Sequence, residues 1–336
     1  MKNNNPIQFS IIVPVYNRPQ ETEELLASLL QQTYQDFEII IVEDGSSVLS
    51  EKVVRNYMDK LTIKYFYKEN SGPGQSRNYG MQRTSGNYFI ILDSDVVVPK
   101  NYLQIVYNRL QNHFVDAFGG PDAAMDDFTP IQKAINYAMT SFFTTGGIRG
   151  KNESMEKFHP RSFNMGISKE VFDKTKGFSK LRFGEDIDFS IRIMAEGFTT
   201  ALFTDAFVYH KRRNSLKQFF KQVYNSGIAR INLYKRHPKS LKMVHFFPAL
   251  FTIGLLVGIF SFLFISRWLL LPFLLYFFIL FLDANKQYNA PKIALQSAFM
   301  SFVMLIGYGL GFIKAFYKRI ILKEPEFTSF EKTFYE

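Results

Sequence analysis

Residues 87–95 read Asn-Tyr-Phe-Ile-Ile-Leu-Asp-Ser-Asp, and the fold prediction starts from this stretch. The apolar run that ends at Leu92 predicts a buried β-strand. Asp93 and Asp95 follow it, so two carboxylates lie at the carboxyl end of the predicted strand. Ligands of open α/β sheets bind at this edge, and carboxylate oxygens suit hard cations such as Mg²⁺ and Mn²⁺. An Asx turn explains an acidic triplet equally well, so the triplet alone leaves both interpretations open.

Strands and helices alternate on both sides of this stretch. Apolar runs predict strands at 9–16, 37–42 and 63–67, before the strand at 87–92. Helical periodicity lies between them, most clearly in the leucines of residues 20–32. This alternation predicts an α/β domain over residues 1–210, built on a largely parallel sheet with crossover connections.

The later part of the chain is far more apolar. Uncharged apolar runs occupy residues 246–265, 268–282 and 293–313. A membrane-spanning helix needs about 20 apolar residues. The first and third runs are long enough, whereas the middle run is short and contains Pro272. We therefore predict two or three transmembrane helices within residues 244–320, followed by a C-terminal tail at 321–336.

Basic residues surround these runs. Residues 211–243 combine lysines and arginines with aromatic side chains, which predicts basic amphipathic helices on an anionic membrane surface. Cationic clusters both precede the first run and follow the third, and each favours the cytoplasmic side. Three full crossings cannot satisfy both clusters, so the short middle run is the expected exception. The clusters are Lys235, Arg236, Lys239 and Lys242, and then Lys314, Lys318, Arg319 and Lys323.

Net charge and cysteine content restrict the possible partners. The formal net charge of +10 indicates a polyanionic partner, which means nucleic acid, anionic lipid or a phosphorylated substrate. The neighbouring apolar runs favour lipid over nucleic acid. The chain has no cysteine, which excludes disulfides and thiolate metal sites. Residues 1–6 lack the apolar core of a signal peptide, so we expect the first domain to stay on the side where it is made.

Four further features are predicted to converge on the same edge of the sheet. Asp44 ends the second strand, although an Asp before Gly also suits a turn. The Gly-rich loop 70–74 precedes a helix that carries Arg77, which is a favourable anion site. The loop lacks the motifs of P-loop kinases and Rossmann dehydrogenases. Acidic residues at 185–188 start another helix and suit either a cap or a general base, while His210 suits either a metal ligand or a structural role.

Taken in order, these motifs resemble glycosyltransferase family 2, the inverting nucleotide-sugar transferases of GT-A fold. The resemblance extends through about the first 235 residues. It rests on Ser10–Arg18, Val42–Ser46, the N-x-G-x-G-x-x-R-N-x-G pattern at 70–80, Asp93–Asp95, Phe163–Gly166 and Gly184–Asp186.

The resemblance implies a role for each motif residue. Asp44 would contact the nucleobase, Arg77 the diphosphate, and Asp93 the ribose or donor sugar. Asp95 would bind Mg²⁺ or Mn²⁺, with His210 as a further ligand. The complete implied donor-binding set is Pro14, Tyr16, Arg18, Asp44, Arg77, Asp93, Ser94 and Asp95.

The acceptor side is implied in the same way. Asp186 would be the general base that deprotonates the acceptor, with Glu185 as the alternative base. The strand that lines the acceptor side would contain Asn164, Met165 and Gly166. These assignments follow from the family's motif positions.

The expected function is transfer of a single sugar from a nucleotide-sugar to a lipid-linked glycan or polyprenyl phosphate. Processive members of the family carry Q-x-x-R-W near the membrane, whereas residues 218–224 here contain no Arg-Trp pair. We expect the protein in the inner (cytoplasmic) membrane, with its catalytic domain facing the cytoplasm. The alternatives are a sugar nucleotidyltransferase and a non-catalytic membrane scaffold.

Overall fold

A computed structural model describes residues 6–123, 128–146, 159–210 and 215–327. They divide into two compact units. Residues 6–123 and 159–210 form the first, here called the sheet unit. Residues 128–146 and 215–327 form the second, the helical unit, although the sequence prediction placed 128–146 in the first domain.

The sheet unit contains ten strands and six helices. Its strands are β1 Phe9–Val15, β2 Phe37–Asp44, β3 Ile63–Lys68, β4 Tyr88–Leu92, β5 Val96–Val97, β6 Ala117–Gly119, β7 Asp122–Ala123, β8 Asn164–Ser168, β9 Thr200–Leu202 and β10 Val208–His210. Its helices are α1 Pro19–Leu30, α2 Glu51–Arg55, α3 Pro73–Met81, α4 Tyr102–Asn112, α7 Lys169–Thr175 and α8 Glu185–Ala195.

Seven of these strands form one mixed sheet in the order β3-β2-β1-β4-β8-β6-β9. The first four are parallel, as the alternation of strands and helices predicts, and β8 is antiparallel to both of its neighbours. A smaller sheet has the order β5-β10-β7. Both sheets lie within the sheet unit. The larger sheet places Asp44 and Asp93 at the carboxyl ends of β2 and β4, and the smaller sheet contributes His210 of β10.

Apolar side chains of the central strands fill both faces of the sheet. Ile11 and Ile90 belong to one buried cluster, together with side chains of α1 and α4. Ile12 and Ile91 belong to a second cluster, together with Met81 of α3 and side chains of α7 and α8. Successive residues of a strand point to opposite faces, so burial on both faces requires the continuous apolar runs seen in the sequence.

The helical unit consists of α5 Pro130–Thr140, α6 Phe142–Thr145, α9 Leu216–Arg236, α10 Phe247–Phe264, α11 Leu271–Tyr288 and α12 Pro291–Phe316. Three stretches are long and apolar enough to cross a membrane: Met243–Phe264, Arg267–Tyr288 and Pro291–Ile321. The middle stretch is longer than the predicted run at 268–282, because its helix continues through Asp283 and Lys286.

Close helix packing distinguishes α9 from a helix that only lies on a membrane surface. A Cβ atom at Gly311 of α12 would overlap the backbone oxygen of Tyr224 in α9. A Cβ at Gly227 of α9 would likewise overlap the backbone oxygen of Tyr308. Glycine at these positions lets the two backbones approach closely, as small residues do in membrane helix pairs.

Candidate active site

Strand pairing brings His210 next to the two aspartates. β10 runs antiparallel to β5, and His210 is opposite Val96, the residue after Asp95. His210 Nε2 lies 3.3 Å from Asp95 Oδ1. One ligand atom each from Asp93, Asp95 and His210 can lie within 4.8 Å of one another. Two carboxylates and one imidazole form a suitable donor set for a divalent cation. Asp93 joins this cluster in addition to the two predicted metal ligands.

Charged neighbours keep Asp95 ionised. Burial opposes ionisation, but His210 and Arg18 outweigh it and hold the pKa of Asp95 well below its usual range. Arg18, at the start of α1, forms an ion pair with Asp95 Oδ2. This arrangement places the predicted donor-binding residue Arg18 directly at the cluster.

Two neighbours flank the His210 ring: Asp122, to which sequence reasoning assigned no role, and Phe163, which it included in the motif of the acceptor-side strand. Asp122 Oδ2 lies 4.0 Å from His210 Nδ1, because β7 pairs with β10. The Phe163 ring stacks on the imidazole, with 5.3 Å between the ring centroids. Metal-binding histidines commonly donate their second ring N–H to a carboxylate, and Asp122 is the carboxylate nearest to that position here.

Arg77 of α3 connects the cluster of Asp93, Asp95 and His210 to the acidic start of α8. Its Nη2 donates to Asp93 Oδ1 at 2.6 Å, and its Nη1 donates to Glu185 Oε1 at 3.3 Å. The side chain is 3% exposed and lies against the Phe178 ring. The guanidinium therefore bridges two carboxylates, while the predicted contact with a diphosphate stays a prediction.

Asp44 connects the end of β2 to the glycine-rich loop. Its carboxylate is fully buried and accepts hydrogen bonds from the backbone N–H groups of Ser71 at 2.9 Å and Gly72 at 2.8 Å. Lys68 forms an ion pair with the same carboxylate. Asp44 thus shapes the loop that leads into α3, and its predicted contact with a nucleobase stays a prediction.

Glu185 and Asp186 begin α8 and lie in different surroundings. Glu185 points toward α3, where it pairs with Arg77 and packs near Gly74. Asp186 Oδ2 instead accepts a hydrogen bond from Arg161 Nη1 at 3.1 Å. No sequence motif singled out Arg161.

These surroundings shift the pKa values of the two acids in opposite directions. Burial and the neighbouring Asp186 raise the pKa of Glu185 to about 7, against the influence of Arg77. Burial also acts to raise the pKa of Asp186, but Arg161 and the backbone N–H of Ile187 outweigh it and lower that pKa. Two acids with separated pKa values at one cleft are typical of acid–base sites.

The other predicted site residues border this arrangement. Asn164 begins β8 opposite Leu92, so the strand passes directly beside Asp93. Its side chain is buried, accepts from the Tyr102 hydroxyl at 2.6 Å and donates to the Ala206 carbonyl at 2.9 Å. Met165 and Gly166 are buried in the same strand, as are Pro14 in β1 and Ser94, whereas Tyr16 is half-buried. Their predicted donor and acceptor contacts stay predictions.

Comparisons with known proteins agree with this geometry. Residues 10–175 match the sequence model of glycosyl transferase family 2. An uncharacterized glycosyltransferase of Haemophilus influenzae is 38% identical over 113 residues, which cover 33% of this chain and 45% of that protein. An uncharacterized glycosyltransferase of Rickettsia conorii is 41% identical over 116 residues, which cover 33% of this chain and 19% of that protein. The chain thus spans less than half the length of either relative.

Among solved structures, the mannosyltransferase PcManGT of Pyrobaculum calidifontis, in complex with GDP-Man and Mn²⁺, is similar in fold. Its TM-score is 0.59 at 14% sequence identity, over 94% of this chain and 89% of that chain. At this identity the likeness concerns the fold alone, and it confirms the predicted GT-A architecture followed by apolar helices. Residues 10–175, which contain the motifs along β1, β2 and β4, are thus the part of the chain that matches glycosyltransferase family 2.

Proposed function

We propose that this chain is an inverting glycosyltransferase that moves one sugar from a nucleotide-sugar to a lipid-linked acceptor at the inner membrane. One observation carries the proposal. A carboxylate–imidazole cluster suited to a divalent cation is joined through the buried Arg77 to a pair of acids with separated pKa values. Donor activation and acceptor deprotonation need these two kinds of group side by side.

Asp95 and His210, together with Asp93, would hold the divalent ion. When bound, such an ion neutralises charge on a leaving diphosphate. The relative PcManGT binds GDP-Man with Mn²⁺, which supports a nucleotide-sugar donor and a divalent ion here. UDP-, GDP- and dTDP-sugars are the donor classes to test, with Mg²⁺ or Mn²⁺.

Asp186 is the proposed general base. The acceptor oxygen attacks the anomeric carbon, the bond from that carbon to the diphosphate breaks, and the acceptor proton passes to the Asp186 carboxylate. A single displacement from the opposite face inverts the anomeric centre. Glu185 is oriented toward α3, so we assign it a positioning role. Its ion pair with Arg77 fixes the first turn of α8 beside α3.

The helical unit supports an acceptor that is presented by a membrane. Its three candidate spans would hold the protein in the bilayer where polyprenyl carriers reside. The cationic flanks lie on the same side of this unit, because Phe246 and Phe312 contact each other and Arg319 Nε donates to Asn232 Oδ1 at 3.1 Å. Both flanks then satisfy the preference of basic residues for the cytoplasmic side, so no more than two of the three candidate spans cross the bilayer completely. The predicted basic segment 211–243 begins with Lys211, Arg212 and Arg213, which lie outside the described residues.

Turnover by the detergent-purified protein tests the proposal. Each donor is incubated with Mg²⁺ or Mn²⁺, with and without bacterial lipid extract, and nucleoside diphosphate release is measured. We expect one donor to be consumed, stimulation by lipid, and loss of turnover in Asp95→Ala and Asp186→Asn. Asp186→Asn should still bind the donor. Pyrophosphate release from a nucleoside triphosphate and a sugar phosphate would instead identify a nucleotidyltransferase, and a folded protein without donor binding would indicate a scaffold.

A further inference from the structure

Two adjacent aromatic side chains stand out on the short helix α6. Phe142 is 63% exposed and Phe143 is 47% exposed. Their rings meet edge to face, with 6.2 Å between the centroids. Water disfavours such a concentration of apolar surface on so short a helix, which points to a non-aqueous environment.

Hydrogen bonds place α6 beside the middle of a candidate membrane span. The Tyr288 hydroxyl, at the end of α11, donates to the Lys133 carbonyl near the start of α5, at 3.0 Å. The Tyr276 hydroxyl donates to the Phe143 carbonyl at 2.8 Å. Tyr276 lies about 18 Å along the helix from Tyr288, at roughly 1.5 Å per residue. The α5–α6 segment therefore runs alongside α11 from its end toward its middle.

The charge of the α5–α6 segment is confined to the part that lies beside the end of α11. Lys133 is the only charged residue between Pro130 and Gly146, and it lies beside the end of α11. The side chains of α11 around Tyr276 are apolar and 45–59% exposed, so the exposed surface at this level has the character of a lipid-facing helix. These side chains are Leu274, Leu275, Phe278 and Ile279.

The turn between α5 and α6 bonds its backbone internally, as hydrocarbon surroundings require. Ser141 Oγ accepts from the Phe143 N–H at 3.3 Å. The Ser141 carbonyl accepts from the hydroxyls of Thr144 at 3.0 Å and Thr145 at 3.1 Å. The Phe143 carbonyl, within the short helix, accepts from the Tyr276 hydroxyl. Polar groups that water would satisfy in a surface loop are thus satisfied here by the protein.

We propose that α5 and α6 form a membrane-inserted element that lies in the bilayer beside α11, with Phe142 and Phe143 among the lipid acyl chains. The proposal rests on α11 lying within the bilayer, where the proposed function also places the helical unit. Its α5 base is anchored by the Tyr137 hydroxyl, which donates to Asp283 Oδ2 of α11 at 2.6 Å. Helices α5 and α6, which follow β7 and precede β8 in the chain, thereby contribute to the membrane-inserted surface.

Tryptophan quenching by brominated lipids tests this element. Trp268 is the only tryptophan and is 68% exposed within a candidate span, so the unaltered protein reports insertion of the helical unit by itself. Phe142→Trp is then introduced into a Trp268→Phe background, with Phe143→Trp as the second reporter. The matched control is Phe114→Trp in the sheet unit, where Phe114 is 41% exposed.

In vesicles with bromines deep in the acyl chains, we expect both reporters to be quenched at least half as strongly as Trp268, and the Phe114→Trp control to be unaffected. Quenching of Trp268 combined with control-level signals from both reporters would overturn the membrane-inserted α5–α6 element while leaving insertion of the long apolar helices intact. Self-association that shields the reporters from lipid would overturn it as well. Donor turnover is measured separately, so failure of the proposed function is distinguishable from either result.

Discussion

Glutamine in place of Glu185 tests the electrostatic description of the site. Burial and the neighbouring Asp186 raise the pKa of this carboxyl from 4.5 to about 7, although Arg77 opposes the rise. A carboxyl whose pKa is raised by folding destabilises the protein when it is ionised, so stability falls as the pH rises from about 4.5 through 7. At about 1.4 kcal/mol per pKa unit, this rise corresponds to about 3 kcal/mol at about pH 8.

The assay is thermal unfolding of the wild type and Glu185→Gln in detergent at about pH 5 and pH 8. Glutamine still accepts the hydrogen bond from Arg77 but carries no charge. The variant should therefore resemble the wild type at the lower pH and exceed it at the higher pH, by roughly 6–12 °C for about 3 kcal/mol in a domain of this size.

A charge-matched control separates burial from net charge. Glu170 is exposed on α7, and Glu170→Gln removes the same charge from the surface. Glu170→Gln should follow the wild type at both pH values. If the unfolding temperatures of the wild type and Glu185→Gln fall by the same amount between the two pH values, ionisation of Glu185 does not destabilise the fold. That result would contradict a raised pKa of Glu185.

Three further substitutions test separate parts of the account. His210→Ala should weaken Mn²⁺ binding at least tenfold, measured by Mn²⁺ electron paramagnetic resonance, and unchanged affinity would exclude it as a ligand. Arg161→Gln removes a cation that lowers the pKa of Asp186, so the acid limb of the kcat/KM–pH profile should move to higher pH; an unmoved limb would contradict Asp186 as the base. Gly311→Ala places a methyl group against the α9 backbone and should lower the unfolding temperature by several degrees. Gly254→Ala is the control and should lower it less, because its added Cβ meets only a ring edge at 3.2 Å. Equal effects of the two substitutions would contradict the close crossing of α9 and α12.

Local patterns in the sequence predicted the sheet well for a physical reason. Strands buried on both faces must be continuously apolar, so β1, β2 and β4 are visible as runs of Ile, Val and Leu. The last apolar residue of such a run marks the carboxyl end of its strand. The positions of Asp44, Asp93 and Asp95 at one edge of the sheet therefore follow from the sequence pattern.

Such local patterns do not predict which distant parts of the chain pair in the fold. His210 was predicted as a ligand only from the family's motif position, and the pairing of β10 with β5 is what places it beside Asp95. Arg161 and Asp122 carry no local signal, because their partners are brought close only by the folded chain. The bridging position of Arg77 likewise depends on α8 packing near α3.

The membrane segments show the same difference between what local patterns predict and what depends on long-range contacts. The outer two spans were predicted from apolar length alone, whereas the middle one was judged too short because Asp283 ends its uncharged run. The folded chain supplies a partner for that carboxylate, the hydroxyl of Tyr137 in α5. A polar residue with an internal partner is tolerated in a membrane helix, and that partner is not visible in the local sequence.

The most direct measurement is transfer of a radiolabelled sugar from its nucleotide donor to an organic-soluble product by the purified, vesicle-reconstituted protein. We expect label in the lipid fraction with the wild type and with neither Asp95→Ala nor Asp186→Asn, and we expect the new linkage to have the inverted anomeric configuration. Label that remains water-soluble with a folded, donor-binding wild type, or that enters lipid equally in Asp186→Asn, would contradict it.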